Sequence, residues 1–208
     1  AKAGFTSYLA GGGGLILIHF ANGAFHFSLP EAAESDWPEF RKICRRVWDH
    51  TEGKSGHDAY GRFKVQIQDP DHDITRGLQD FETIDELYFR QQGELPIHVL
   101  TSARSKVTGN DEPMAFVYEY GQGRVMQTVL GHADESLKVD AVQELIKRSA
   151  IWVAGRKQAA AKPDQGRREG LQRPATFVAI GQQQSPAASS QERPGRLPKE
   201  VRDRLAAG

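Results

Sequence analysis

The stretch that decides the fold is Gly11 to His26, GGGGLILIHFANGAFH. Four consecutive glycines end whatever helix precedes them, because glycine takes the left-handed helix-ending conformation without a Cβ penalty. Leu15-Ile16-Leu17-Ile18 is then an apolar run too short for a helix and bounded by breakers. It predicts a central strand buried on both faces, as in a parallel sheet. The run stops at His19, and small and polar residues lead from there to a second histidine, His26. In open α/β sheets, ligands collect outside the carboxyl ends of the strands. His19 is therefore the first candidate for function.

Upstream, residues 1–9 place Phe5, Tyr8 and Leu9 on one helical face. A parallel strand buried on both faces needs neighbours on each side, and nothing before Leu15 reads as a strand. The expectation is a domain over residues 1–156 that starts mid-fold, without its first strands.

Downstream, Ser35-Asp36 before Trp37-Pro38 is a helix-start signature. Phe40, Ile43, Cys44 and Val47 recur at helical spacing, with Arg41, Lys42, Arg45 and Arg46 as a solvated basic face. Gly53 to Gly61 reads as a loop carrying His57, and Phe63, Val65 and Ile67 alternate with polar residues as in a half-buried edge strand. Asp69 to Asp73 is turn chemistry dense in carboxylate and imidazole. Phe81 to Phe89 holds Asp85, Glu86 and Tyr88; Asp85-Glu86 can cap a short helix anchored by Leu87 and Phe89. Ile97 to Thr101 predicts a strand. Met114 to Tyr120 and Arg124 to Leu130 predict a hairpin about Gly121-Gln122-Gly123, with Arg124 opposite Glu119. Gly131-His132 places another histidine just past a strand. Val142, Leu145, Ile146, Ser149, Trp152 and Val153 line one face of a helix that ends near Gly155. The composition then turns to Gln, Pro, Ala, Ser and Arg, which predicts a disordered tail over 157–208 with a short helix over Pro198 to Ala207.

The totals narrow the function. Lys+Arg and Asp+Glu are 27 each, so no global field favours nucleic acid or an anionic membrane. No apolar stretch approaches 18 residues, so no membrane span is expected. The one cysteine, Cys44, excludes an internal disulfide and a multi-cysteine metal site, and its helical position reads as core. No signal peptide opens the chain; a soluble cytoplasmic setting is the default, and a secreted or periplasmic one follows if a leader precedes Ala1.

Chemistry falls to four groups: His19, His57, the Asp69/Asp71/His72/Asp85/Glu86 collection, and His132. HxxxH, HExxH and CxxC are all absent. Histidines from separate strand ends can converge on zinc or another divalent ion with a carboxylate as fourth ligand. They can equally act as acid and base on a polar substrate. Each also has a plainer fate: His57 and His72 as exposed loop residues, Arg124 as a cross-strand partner of Glu119. Nucleophilic catalysis lacks support, since GxSxG is absent.

In order, GGGLILIH, DWPEF, Gly56-His57, VQIQDPDHDIT, DELYF, EPMAFVYEYGQGRV, LGH and IWVAG resemble the trehalose-utilisation (ThuA-like) family over residues 5–155. The resemblance implies a class I glutamine amidotransferase-like fold, a three-layer α/β/α sandwich with a mainly parallel sheet. It implies that His19 stands where amidotransferases carry their cysteine nucleophile, which excludes glutamine hydrolysis. It carries over His19, His57, His72, Asp85, Glu86, Tyr88, Arg124 and His132 as motif positions.

It also implies disaccharide and 3-keto-sugar metabolism. Partnership with a dehydrogenase or haem-binding module is implied too, although this chain has no CxxCH. The leading expectation is a carbohydrate-processing enzyme with His19, Asp85, Glu86 and His132 as catalytic groups. Its substrate-binding residues are then His57, His72, Tyr88, Arg124 and Trp37, with a divalent metal such as zinc as candidate cofactor. The alternatives are a non-catalytic sugar-binding or scaffolding domain using Phe20, Phe25, Trp37 and Tyr88 as stacking platforms, and a degenerate amidotransferase partner.

Overall fold

A two-residue turn, Gly121-Gln122, organises the sheet. Gly121 has φ +60°, a left-handed value that glycine adopts without strain. The computed structural model describes residues 1–29 and 34–155; the expected tail over 157–208 and its terminal helix lie outside them. In chain order the elements are α1 (Lys2–Ala10), β1 (Gly14–Ile18), a 3₁₀ turn (His19–Gly23), α2 (Phe40–Ile43), β2 (Gly56–His57), β3 (Gly61–Ile67), β4 (Phe81–Asp85) and β5 (Tyr88–Phe89). β6 (His98–Arg104), β7 (Asp111–Tyr120), β8 (Gly123–Thr128), α3 (Asp134–Leu137) and α4 (Asp140–Val153) follow.

Six strands form one sheet in the order β1-β8-β7-β6-β3-β4, and β2 pairs with β5 separately. Alternation along the strands splits the core between two faces. Leu17, Phe116, Tyr118 and Val125 pack with Leu9 of α1 and with Phe40 and Ile43 of α2. Ala115, Val117 and Met126 point the other way, onto Leu145 of α4. The result is an α/β fold with helices on both sheet faces. Phe116, Met126 and Leu145 are buried, and truncating any of them to alanine costs about 2–5 kcal/mol.

The sheet is mixed rather than mainly parallel. Among the described residues only β1–β8 is a parallel pair; β8–β7, β7–β6, β6–β3 and β3–β4 are antiparallel. The reason lies in the connections: the hairpin turn reverses the chain between β7 and β8, and the short 105–110 connection reverses it between β6 and β7. Parallel neighbours need a longer crossover. β1 is paired on one side among the described residues, and of its apolar run only Leu17 is fully buried. Gly14 lies so close to the end of α4 that an added Cβ would stand 2.5 Å from the Val153 carbonyl oxygen.

Two other elements depart from expectation. The helix expected through Val47 stops at Ile43, where Cys44 takes φ −97° and ψ 94°. Its apolar spacing still delivers Phe40, Ile43, Cys44 and Val47 to one cluster, but Val47 gets there as an extended residue exchanging hydrogen bonds with Gln92, each 2.9 Å. Arg45 and Arg46 are not a solvated face. Arg45 donates to the carbonyls of Pro96 and Glu119, and Arg46 to that of Leu95 at 2.9 Å. Phe81 to Phe89 is two strands with a turn between, not a capped helix.

Candidate functional site

β1, β8 and β4 run in the same direction, so their carboxyl ends meet at one edge of the sheet. In a flat sheet β8 and β4 would stand four strand spacings apart, about 19 Å. Asp85 Oδ2 at the end of β4 nevertheless lies 2.7 Å from the Gly131 amide just past β8. The sheet therefore curls, and the curl closes a pocket over its edge.

His19 is the first residue past β1, held at φ +48°. Left-handed backbone at a non-glycine residue is uncommon and concentrates at functional positions. Its Nδ1 is 2.7 Å from the Val129 carbonyl. A carbonyl only accepts, so Nδ1 carries the proton and Nε2 turns its lone pair into the pocket. The Tyr88 hydroxyl donates to that nitrogen at 2.8 Å. Burial, then the charges of Glu86 and Asp85, push the phenol well above its ordinary pKa and keep that proton in place.

Glu86 is the hub. Its Oε2 is 3.7 Å from His19 Nε2 and 3.2 Å from His132 Nδ1, while Oε1 is 3.7 Å from His57 Nδ1. His132 Nδ1 is also 3.2 Å from His19 Nε2. Because the Tyr88 proton already occupies Nε2, the His132 Nδ1–H is directed to Glu86. His57 Nδ1 donates to the Asp58 carbonyl at 2.8 Å.

Asp85 has a different task from its neighbour. Adjacent residues at a strand end point to opposite sides, and the Asp85 side chain turns into the protein, where the residue is fully buried. It accepts from the amides of Glu86 (2.8 Å), Gly131 (2.7 Å) and His132 (3.2 Å), and from the Ser136 hydroxyl. One carboxylate thus fixes the backbone beneath both Glu86 and His132.

The cavity above these groups encloses about 460 Å³. His19, His57, Glu86, Tyr88 and His132 line it together with Phe20, Trp48 and His50. The Trp48 ring stands 4.6 Å from Tyr88 and 6.0 Å from Phe20, which makes an aromatic wall. Trp48 and His50 were not singled out in the sequence. The alternation of an extended segment was the available signal: Val47 goes to the core and Trp48 to the other side. The Trp48 amide donates to the Asn22 carbonyl at 3.2 Å, so the 3₁₀ turn that begins with His19 also holds the wall.

The structure gathers His19, Glu86, His132, His57 and Tyr88 in one place. It does not gather the rest. Trp37 packs on Phe5, Phe25 and Phe40, in the layer of α1 and α2. Arg124 lies opposite Glu119 in register, but its guanidinium stacks on Trp152 at 5.3 Å and donates to the Trp152 carbonyl. His72 also packs on Trp152, 5.4 Å between rings, beside His98. Asp69 and Asp71 share that turn, where Asp69 Oδ1 accepts from the Asp71 and His72 amides. Cys44 is buried and its thiol is pushed up to about 12 by burial, so it supplies no thiolate. No described helix is long and apolar enough to cross a membrane.

Comparison with known proteins identifies the fold and the family. A ThuA-like protein from Parabacteroides merdae superimposes with a TM-score of 0.66 at 26% identity, over 78% of this chain and 68% of that one. A ThuA-like protein from Bacteroides uniformis gives 0.56 at 18% identity, over 76% of this chain and 64% of that one, a likeness of fold alone. The chain thus spans about two thirds of each relative's length. No curated protein matches it. The family model described as trehalose utilisation (ThuA) matches residues 1–153, and the chain belongs to that family.

Proposed function

We propose that the pocket at the curled sheet edge processes a carbohydrate by acid/base chemistry, with a keto-sugar as substrate. The observation that carries this reading is the Glu86 carboxylate, which accepts from His132 at 3.2 Å and faces His19 and His57 at 3.7 Å in a cavity with an aromatic wall. The family's link to trehalose supports the substrate class. A ketone on a sugar ring acidifies the neighbouring C–H bond. Glu86 takes that proton, the C–H electron pair moves into an enolate, and the Tyr88 hydroxyl or a histidine N–H stabilises the enolate oxygen. Reprotonation elsewhere gives isomerisation; loss of a β-substituent gives elimination. The aromatic faces of Trp48 and Tyr88 suit the apolar side of a sugar ring. A keto-sugar requires an earlier oxidation of a hydroxyl, so a dehydrogenase-class reaction supplies this substrate.

The test is exchange of the proton α to the ketone of a 3-keto-disaccharide in deuterated water, followed by NMR with the full chain. Wild type is expected to catalyse exchange, and Glu86→Gln to lose about 10²- to 10⁴-fold. A folded wild-type protein without exchange or turnover refutes the acid/base reading. A second reading, a sugar-binding module, draws on the Trp48–Tyr88 wall. It predicts saccharide binding that Trp48→Ala abolishes, with no chemistry in any variant.

A further inference from the structure

We propose that His19 Nε2, Glu86 Oε2 and His132 Nδ1 form a divalent-metal site of the zinc class with an open fourth position. The three donor atoms lie within 4.8 Å of one another, at separations of 3.2, 3.2 and 3.7 Å. Ligands on a tetrahedral zinc with bonds near 2.05 Å stand about 3.3 Å apart. The triangle therefore has the size of one face of such a site before any ion enters.

The surrounding shell fits as well. A histidine ligand needs its second nitrogen held by an acceptor so that the coordinating lone pair keeps its direction. The Val129 carbonyl does this for His19 at 2.7 Å. Asp85 pins the amides of the other two ligand residues, Glu86 and His132. Two imidazoles and one carboxylate make a nitrogen-rich donor set. It favours zinc and its first-row neighbours over calcium and magnesium, which take oxygen. The three donor residues line the same cavity as Trp48 and His57, so a ligand can reach the ion there, as in a catalytic rather than a closed structural site. Binding releases the Nδ1 proton of His132 and displaces the Tyr88 hydroxyl from His19 Nε2. The inference rests on this pocket being the functional site, not on its substrate being a carbohydrate.

The experiment uses the full chain, stripped with a chelator and titrated with Co²⁺, whose visible absorption reports tetrahedral coordination. Zn²⁺ is then followed by competition with a chromophoric chelator. Wild type is expected to bind one equivalent of each ion. His132→Ala and Glu86→Gln should each weaken binding by about 10- to 100-fold or more. His132 is partly exposed, so its variant is the less disruptive one, and circular dichroism checks both folds. His98→Ala, in the other histidine cluster, should leave binding unchanged. Absence of a cobalt band in wild type overturns the proposal, as does uptake indifferent to both site variants or lost in His98→Ala. Metal binding without proton exchange or turnover on the sugar would refute the acid/base reading of the pocket and leave the metal site standing.

Discussion

Two histidine clusters stand at opposite edges of one sheet, and they differ in what their carboxylate has left to offer. At the carboxyl ends of β1, β8 and β4, Glu86 faces His19, His57 and His132 and lines a cavity. At the other edge, where β3 ends and β6 begins, Asp69 pairs with His98 at 2.8 Å while its second oxygen accepts from the Asp71 and His72 amides. Partial burial opposes it, but those amides and the His98 ring hold the Asp69 carboxyl below the usual carboxylate range. Asp69 is occupied by its own turn. Glu86 has that work done for it by Asp85, and its oxygens stay turned to the pocket. The same residue types give turn chemistry at one edge and a candidate reaction centre at the other.

The strongest way to break this comparison is to neutralise each carboxylate. Glu86→Gln should cost about 10²- to 10⁴-fold in proton exchange, whereas Asp69→Asn should leave exchange within about twofold and lower stability instead. Equal losses would show that the clusters are not functionally distinct.

Next in size is Asp85→Ala, which takes the acceptor from three part-buried amides and from the buried Ser136 hydroxyl. Unmet buried donors cost about 1–3 kcal/mol each, so a loss of about 3 kcal/mol or more is expected in urea unfolding. A loss below 1 kcal/mol would mean that Asp85 does not support the pocket floor. Gly131→Ala attacks the same floor through its backbone. Gly131 has φ +118°, and a Cβ there would meet the Ile18 side chain at 3.0 Å. We expect about 1–3 kcal/mol, read by the same measurement.

A pH experiment sharpens the contrast. Burial lowers the pKa of His26, although the Asp49 charge opposes it. Burial, helped by the neighbouring His98, lowers that of His72. The unfolded chain then binds more protons than the fold below the ordinary histidine value of 6.5. Stability is thus full above pH 6.5 and falls as the pH drops through the window down to each lowered value. Urea midpoints should decrease from pH 7.5 to pH 5.5, and His72→Gln should flatten part of that slope. A midpoint constant over this range would contradict it. The smallest effect belongs to His98→Ala. Its ring is more than half exposed, so removing the Asp69 pair should change stability by less than about 1 kcal/mol.

Periodicity made the hairpin over 114–130, the α4 face and the strand after the glycines legible. Each follows from local rules: a glycine at φ > 0, a 3.6-residue stripe, an apolar run between breakers. His19 and His132 could be located at strand ends for the same reason. Choosing between Asp85 and Glu86 needed the knowledge that they sit at a strand end and face opposite sides; read as a helix cap, both look alike. Trp48 was hidden because α2 ends after Ile43, where the buried Cys44 turns the chain out of the helix.

By itself, the sequence determined the first strand, the 114–130 hairpin, the closing helix with the apolar face it buries, and a histidine after each of the two parallel strands, because these depend on neighbours a few residues away. Only the tertiary structure decided that the sheet is mixed, that it curls until the end of β4 touches the turn after β8, and that Glu86 stands among His19, His57 and His132. Those contacts join residues far apart in the chain, and they follow from how a twisted sheet closes on itself. The glycine-rich stretch that sets the first strand points to His19. The curl decides what His19 meets.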